Sequence, residues 1–200
     1  MSLTLEEIKQ SLRTDKVAIK EAIEFKKAQF KRADAVTLDD VNDTQVVKGL
    51  TTSNEHDTKD VIKRTIIGNT YNWLDSHGDV HLKDTFKKSI NERGDKGRIW
   101  HLHDHIQQRT AKVGRPEKVY QHDVKWSDLG VSKQGTTQVV MMDSSIMKSY
   151  NGMMFQQYKD GEVDQHSVGM YYVKIDLALN DEEFKAVSYT HLTLPTNREV

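Results

Sequence analysis

The chain has 200 residues, 36% of them hydrophobic and 30% charged, and its 29 basic residues nearly cancel its 30 acidic ones. This length suits one domain with a core, or a small domain with an extended arm, and the balanced charge gives no reason to expect a nucleic-acid partner. Because the sequence contains no cysteine, disulfides, a thiol nucleophile and cysteine-ligated metal centres are excluded, and histidine, serine and carboxylates must supply any chemistry.

The N-terminal segment predicts a long amphipathic helix. Apolar residues recur at helical spacing from Leu5 to Phe30 among many lysines and glutamates. We expect this helix either to pack on the domain or to form an arm that docks a partner or a second copy. The segment lacks the pattern of a signal peptide, and no apolar run approaches the roughly 18 residues of a membrane span, so we expect a cytoplasmic protein without membrane association.

The middle of the chain predicts an α+β fold, in which a mostly antiparallel, barrel-like sheet is flanked by helices. Residues 51–60 are polar and without periodicity, which indicates a loop. Short runs typical of strands follow near 61–67, 98–102, 117–124, 136–142 and 167–179, separated by clusters of Gly, Asn and Asp. Two helical stretches are predicted near 82–92 and 145–160, the second ended by Gly161.

The densest group of reactive side chains is the histidine cluster at residues 101–105. On a strand, His101, His103 and His105 would share one face. Three imidazoles on one face would suit zinc, so one hypothesis is a metal-dependent hydrolase that uses all three. A second hypothesis is that the cluster holds the base of a protease, and a third is that these histidines are structural or lie at the surface.

A second candidate is Ser167, in the segment His-Ser-Val-Gly-Met at 166–170. Strand alternation would place it at the start of a largely apolar face formed by Ser167, Gly169, Tyr171, Val173, Ile175 and Leu177. A serine in such a position is usually hydrogen-bonded to the backbone, so the segment alone is weak support for catalysis. His166 would point to the opposite face, which makes it a poor base for Ser167.

Four segments in order resemble the prohead maturation proteases of tailed phages, a serine protease family related in fold to herpesvirus maturation proteases. They are Trp73–Val80 with its Asp-x-x-Gly-Asp pattern, the histidine cluster, Gly114 at the start of a strand, and Asp164–Met170. The last resembles Ser-(Ile/Val)-Gly-(Phe/Met) and is the most specific of the four.

The resemblance implies a herpesvirus-protease-like fold and a serine endopeptidase that needs no metal or cofactor. It makes Ser167 the nucleophile and His105 the base, with His103 as the alternative base. The implied substrates are segments of the phage scaffold protein and major capsid protein, cut inside the assembling prohead in the host cytoplasm. Self-cleavage and self-association are also implied. An inactive capsid or scaffold component is the alternative that keeps this fold without its chemistry.

The chain departs from the family after Leu179, where the family's third catalytic group, an acidic residue on a later strand, has no match. Asp104 or Asp176 could replace it. Residues 188–200 resemble translated sequencing-adapter read-through, and we interpret them as a non-native tail. The resulting domain organisation is a helical arm and linker at 1–50, a protease domain at 51–187 that is truncated at its C-terminal end, and the tail.

Overall fold

The computed structural model describes residues 14–34, 57–75, 77–163 and 165–172, together with Glu7, Gln10 and Ile175. In this part of the chain the fold is α+β, as predicted: an antiparallel sheet curled into half a barrel is accompanied by a second small sheet and three helices. The helices are α1 (Lys16–Lys27), α2 (Lys87–Arg93) and α3 (Gly152–Asp160). The strands are β1 (Phe30–Asp34), β2 (Val61–Thr70), β3 (His101–Leu102), β4 (Lys112–Lys125), β5 (Thr136–Met147) and β6 (Ser167–Tyr171).

The larger sheet has four antiparallel strands in the order β2-β5-β4-β3. Its centre is β5, a long and largely buried strand rich in β-branched residues and methionine, which suits a strand covered on both faces. Val139 and Ile146 on β5 are fully buried. Ile146 belongs to the apolar cluster at the end of the sheet where the short strand β3 meets β4, and Val139 belongs to a separate cluster farther along β5.

The smaller sheet pairs β1 with β6 in antiparallel register, with Asp34 opposite Ser167 and Phe30 opposite Tyr171. It packs closely on β2, because a Cβ added to Gly68 would lie only 3.2 Å from Cγ2 of Val168. The glycine therefore permits the close approach that brings the start of β6 against the larger sheet.

Several element boundaries differ from the sequence predictions. The N-terminal helix ends at Lys27 and Phe30 begins a strand; most of residues 1–13 lie outside the described residues, so the long helix stays a prediction there. The helix predicted near 145–160 begins only at Gly152, because residues 145–147 continue β5. The predicted boundary near residue 50 and the tail at 188–200 also lie outside the described residues.

The face of β6 that begins at Ser167 is less buried in its described part than the opposite face. Met170, on the other face, is 2% exposed, whereas Ser167 and Tyr171 are only partly buried. The reason is that β6 buries Met170 against the cluster around Tyr71 and Phe86, so the face that carries Ser167 turns toward a cavity.

A membrane-spanning helix needs a run of roughly 18 or more apolar residues. No helix among the described residues is long and apolar enough to cross a membrane.

Candidate active site

The structure brings together two candidate catalytic residues that lie 62 positions apart in the chain. The Nε2 atom of His105 lies 2.6 Å from the Oγ atom of Ser167. Ser167 is the first residue of β6, and His105 lies in the turn that follows β3. A hydroxyl within hydrogen-bonding reach of an imidazole is the arrangement by which a serine nucleophile is activated.

The turn that carries His105 has an unusual backbone. Asp104 and His105 have φ angles of 50° and 56°, so two consecutive residues other than glycine adopt the left-handed conformation. Each such residue costs about 1–2 kcal/mol. The turn is closed by a hydrogen bond of 3.0 Å from the Ile106 N–H to the His103 carbonyl. The strand therefore ends at Leu102, and the predicted common face of three histidines does not form.

His103, the alternative base, is not the histidine in contact with Ser167. Its Nε2 atom lies 3.3 Å from Oδ2 of Asp104, and its side chain is 34% exposed. Both residues line the same cavity as Ser167. The geometry thus favours His105 over His103 as the base.

His101 is buried, and both of its ring nitrogens are occupied. Its Nδ1 atom lies 2.9 Å from the Ser144 hydroxyl, and its Nε2 atom lies 2.9 Å from the Tyr158 hydroxyl. Burial, with a smaller contribution from nearby His166, lowers the pKa of His101 to about 3. This histidine is neutral at physiological pH and is too weak a base to activate a serine.

The zinc hypothesis loses its geometric basis in this arrangement. His101, His103 and His105 each have a different partner, and within the described residues no three histidine or acidic side chains are grouped so that they could hold a metal ion.

His166 does not contact Ser167 in the way a base would. Its Nε2 atom lies 2.8 Å from the Tyr158 hydroxyl. Burial raises the pKa of Tyr158, so this hydroxyl keeps its proton and links two histidines. In the sequence His166 is notable only as the neighbour of Ser167, and no local pattern indicates its contact with Tyr158.

A cavity of about 330 Å³ lies beside Ser167 and His105. Its walls are mainly apolar and include partly buried residues of a helix, a loop and two strands: Ile90, Ile99, Met142 and Val168. Among the described residues, the lysine, arginine and acidic side chains that line it are Arg98 and Asp104, and both are exposed. No sequence pattern marks these wall residues, because they are ordinary apolar residues until the fold brings them together.

A complete serine-protease site would also need an acidic residue that orients the histidine and N–H groups that stabilise the oxyanion, and the structure describes only some of the candidates for these roles. Asp104 contacts His103, and Asp176 lies outside the described residues. Gly169, two residues after Ser167, is one candidate for the backbone N–H donors, and it lines the cavity. Residues 109–115, a second candidate region for such donors, form a 3₁₀ turn and the first residues of β4, and of these Val113 lines the cavity.

The segment at 73–80 has a structural role at the end of β6 opposite Ser167. The Oδ1 atom of Asp75 accepts hydrogen bonds of 2.9 Å from the backbone N–H groups of His77 and Asp79, which form a tight turn. The Asp79 carboxylate accepts from Lys26 of α1 and from the hydroxyl of Tyr172, just after β6. The segment therefore connects α1 and the end of β6 to the loop that follows β2.

Comparisons with known proteins identify no relative: no protein-family model, no curated protein and no solved structure matches the chain.

Proposed function

We propose that this protein is a serine endopeptidase in which Ser167 is the nucleophile and His105 is the general base. The contact of 2.6 Å between His105 Nε2 and Ser167 Oγ carries the proposal. As the Ser167 oxygen attacks a peptide carbonyl, His105 accepts the hydroxyl proton and then donates it to the departing amine, which leaves an acyl ester on Ser167. Water, activated by the same imidazole, hydrolyses that ester.

The chain contains a second serine–histidine contact, and comparison of the two supports this assignment. Ser144 and His101 are 3% and 6% exposed, whereas Ser167 and His105 are only partly buried and lie beside an open cavity. A peptide could not reach Ser144, and His101 would not accept its proton. Accessibility and basicity therefore both favour Ser167.

The proposed biological role is proteolysis during maturation of a phage prohead, with scaffold and major capsid protein segments as substrates and with self-cleavage. It rests on the four segments that resemble the prohead proteases. Their positions support it, since the histidine cluster and Asp164–Met170 carry His105 and Ser167, Gly114 lies at the contact between His101 and Ser144, and Asp79 of the first segment contacts Tyr172 just after β6. The protein would then act inside the prohead, in the host cytoplasm.

A fluorophosphonate probe tests the chemistry directly, because it reacts with activated serines. We expect one covalent adduct, mapped by mass spectrometry to Ser167 and lost in Ser167→Ala. The matched control is Ser127→Ala, which removes an exposed serine hydroxyl that hydrogen-bonds to Asp128 and does not line the cavity, and it should label like the wild type. Undiminished labelling of Ser167→Ala would exclude Ser167 as the nucleophile.

The biological role needs a separate experiment. When the protein is co-expressed with its cognate scaffold and capsid proteins, the wild type should process them and Ser167→Ala should leave assembled but uncleaved particles. If processing instead stops when a chelator is added and resumes with zinc, the metal-dependent alternative is correct. Particles that mature normally with Ser167→Ala would indicate an inactive capsid or scaffold component.

A further inference from the structure

We propose that Tyr158 is a positioning residue. Through a hydrogen-bond chain in the interior of the protein, it keeps the side chains of Ser167 and His105 within hydrogen-bonding distance of each other. The chain runs from Ser144 through His101 and Tyr158 to His166, with successive contacts of 2.9, 2.9 and 2.8 Å. This inference rests on the proposed function, since it concerns the geometry of the same nucleophile and base.

The hydrogen-bond chain reaches both reacting residues through the backbone. His101 begins the short segment that turns at His105, and His166 immediately precedes Ser167. Ser167 and His105 belong to different parts of the fold, because β6 pairs with β1 in the small sheet whereas β3 belongs to the four-stranded sheet. Tyr158, on α3, hydrogen-bonds to one histidine from each part.

The polar groups of this hydrogen-bond chain have hydrogen-bond partners, and a buried network needs such partners to hold a single geometry. The Tyr158 hydroxyl has one proton, so it donates to one histidine and accepts from the other. Neutral His101 likewise donates from one ring nitrogen and accepts at the other. Each member thus has a defined partner; a shift of His101 would break its hydrogen bonds to the buried Ser144 and Tyr158 hydroxyls, at a cost of about 1–3 kcal/mol for each buried group left unsatisfied, and a shift of His166 would break its contact with Tyr158.

Close packing around Ser144, His101 and Tyr158 leaves the hydrogen-bond chain little freedom to rearrange. A Cβ added to Gly114 would lie 2.7 Å from the Ser144 Oγ atom and 3.0 Å from the His101 Nδ1 atom. Tyr158 and His101 also meet edge to face, with ring centroids 5.8 Å apart. The positions of the two histidines are therefore set by contacts on several sides.

The decisive variant is Tyr158→Phe, which removes one hydroxyl and keeps the ring. Its matched control is Tyr71→Phe, because the Tyr71 hydroxyl is also buried and accepts from the Phe86 N–H at 3.1 Å and from Gln121 at 3.0 Å, without contact to the two histidines. We expect similar losses of melting temperature in both variants. In Tyr158→Phe we expect kcat for a peptide substrate to fall about 10- to 100-fold with KM nearly unchanged, since a small misplacement of reacting atoms is costly.

In Tyr71→Phe we expect kcat to stay within about twofold of the wild type, because the reacting groups keep their geometry. Equal kcat values for the two variants would overturn the positioning role, since a purely structural hydroxyl would affect stability alone.

A second measurement does not depend on activity. Ser167→Ala should shift the ring ¹⁵N resonances of His105 in the wild-type background, because it removes the hydroxyl that contacts Nε2, and that shift should vanish in the Tyr158→Phe background. An undiminished shift would overturn the positioning role. If the wild type shows the shift but no fluorophosphonate adduct, the proposed function fails while the positioning of the two residues stands.

Discussion

At the scale of single residues, the proposed chemistry depends on two side chains that act as one unit. Ser167→Ala and His105→Ala should each lower kcat for peptide hydrolysis by about 10⁶-fold, and the double variant should be no worse than either single one, because members of a catalytic unit are strongly non-additive. His103→Ala should lose far less activity. Steady-state kinetics on a peptide substrate provides the measurement, and the reverse ranking of the two histidines would assign the base to His103.

The lowered pKa of His101 predicts how the free energy of unfolding depends on pH. Its pKa is lowered to about 3 in the folded protein, from an ordinary value of 6.5. Between these values the unfolded chain binds a proton that the folded protein does not, so the free energy of unfolding decreases as the pH falls below 6.5. From this group alone the slope approaches about 1.4 kcal/mol per pH unit below pH 6.5, and it fades to zero within about one to two pH units above that value.

Urea denaturation of the wild type and of His101→Gln at pH 7 and pH 5 tests this prediction. The stability advantage of the wild type should shrink by about 2 kcal/mol over that interval, since glutamine takes up no proton. An advantage that is the same at both pH values would mean that His101 is accessible to protonation in the folded protein.

Among the structural elements, the close pairing of β4 with β3 and β5 depends on Gly114, which lies opposite His101 on one side and Ile146 on the other. Gly114→Ala would place a methyl group 2.9 Å from the Ser145 carbonyl oxygen and closer still to the Ser144 hydroxyl, so the strands must move apart. We expect a loss of about 1–3 kcal/mol in the free energy of unfolding, together with reduced activity, because His101 would shift with the strand.

The matched control is Gly152→Ala at the first position of α3, where an added Cβ would meet nothing within 4 Å. It should leave activity unchanged and stability equal or higher by about 0.4–1 kcal/mol. A Gly114→Ala variant as stable and active as this control would contradict the role given to the glycine.

The elements also show what local sequence can predict. Strands β2, β4 and β5 are predicted close to their observed positions, because β-branched residues and turn-forming clusters mark them. Strand β1, with the sequence Phe-Lys-Arg-Ala-Asp, has no such signature and is formed by pairing with β6 more than 130 residues away. Ser167 and His105 are identified by motif, but the partners of His101 come from β5 and α3, and no local pattern indicates them.

At the scale of the whole molecule, the candidate site lies where two sheets meet. The four-stranded sheet leads to His105, the two-stranded sheet provides Ser167, and α3 contributes Tyr158 between them. The strained turn at Asp104 and His105 is stable only because the surrounding packing holds it. Long-range assembly of this kind determines the geometry of the site, and for that reason the sequence identifies the residues without their distances.

The same assembly forms the mainly apolar cavity beside Ser167. From its lining we predict which substrate side chains the proposed enzyme prefers. An unpaired charge buried against Ile90, Ile99 and Met142 would lose its hydration without compensation, at a cost of at least several kcal/mol. Peptides with leucine, methionine or phenylalanine before the cleaved bond should therefore be cut at least about 100-fold faster than those with aspartate or lysine, measured as kcat/KM.

Ile90→Ala tests whether this cavity is the specificity pocket. Removal of part of the wall should shift the preference toward phenylalanine and tryptophan relative to leucine by about tenfold, since a few methylene groups are worth about 1–3 kcal/mol in an apolar pocket. Fluorophosphonate labelling of Ser167 should stay at the wild-type level, which separates a change of preference from a loss of the nucleophile. Equal kcat/KM for charged and apolar peptides, or a preference unaffected by Ile90→Ala, would show that the substrate side chain binds elsewhere.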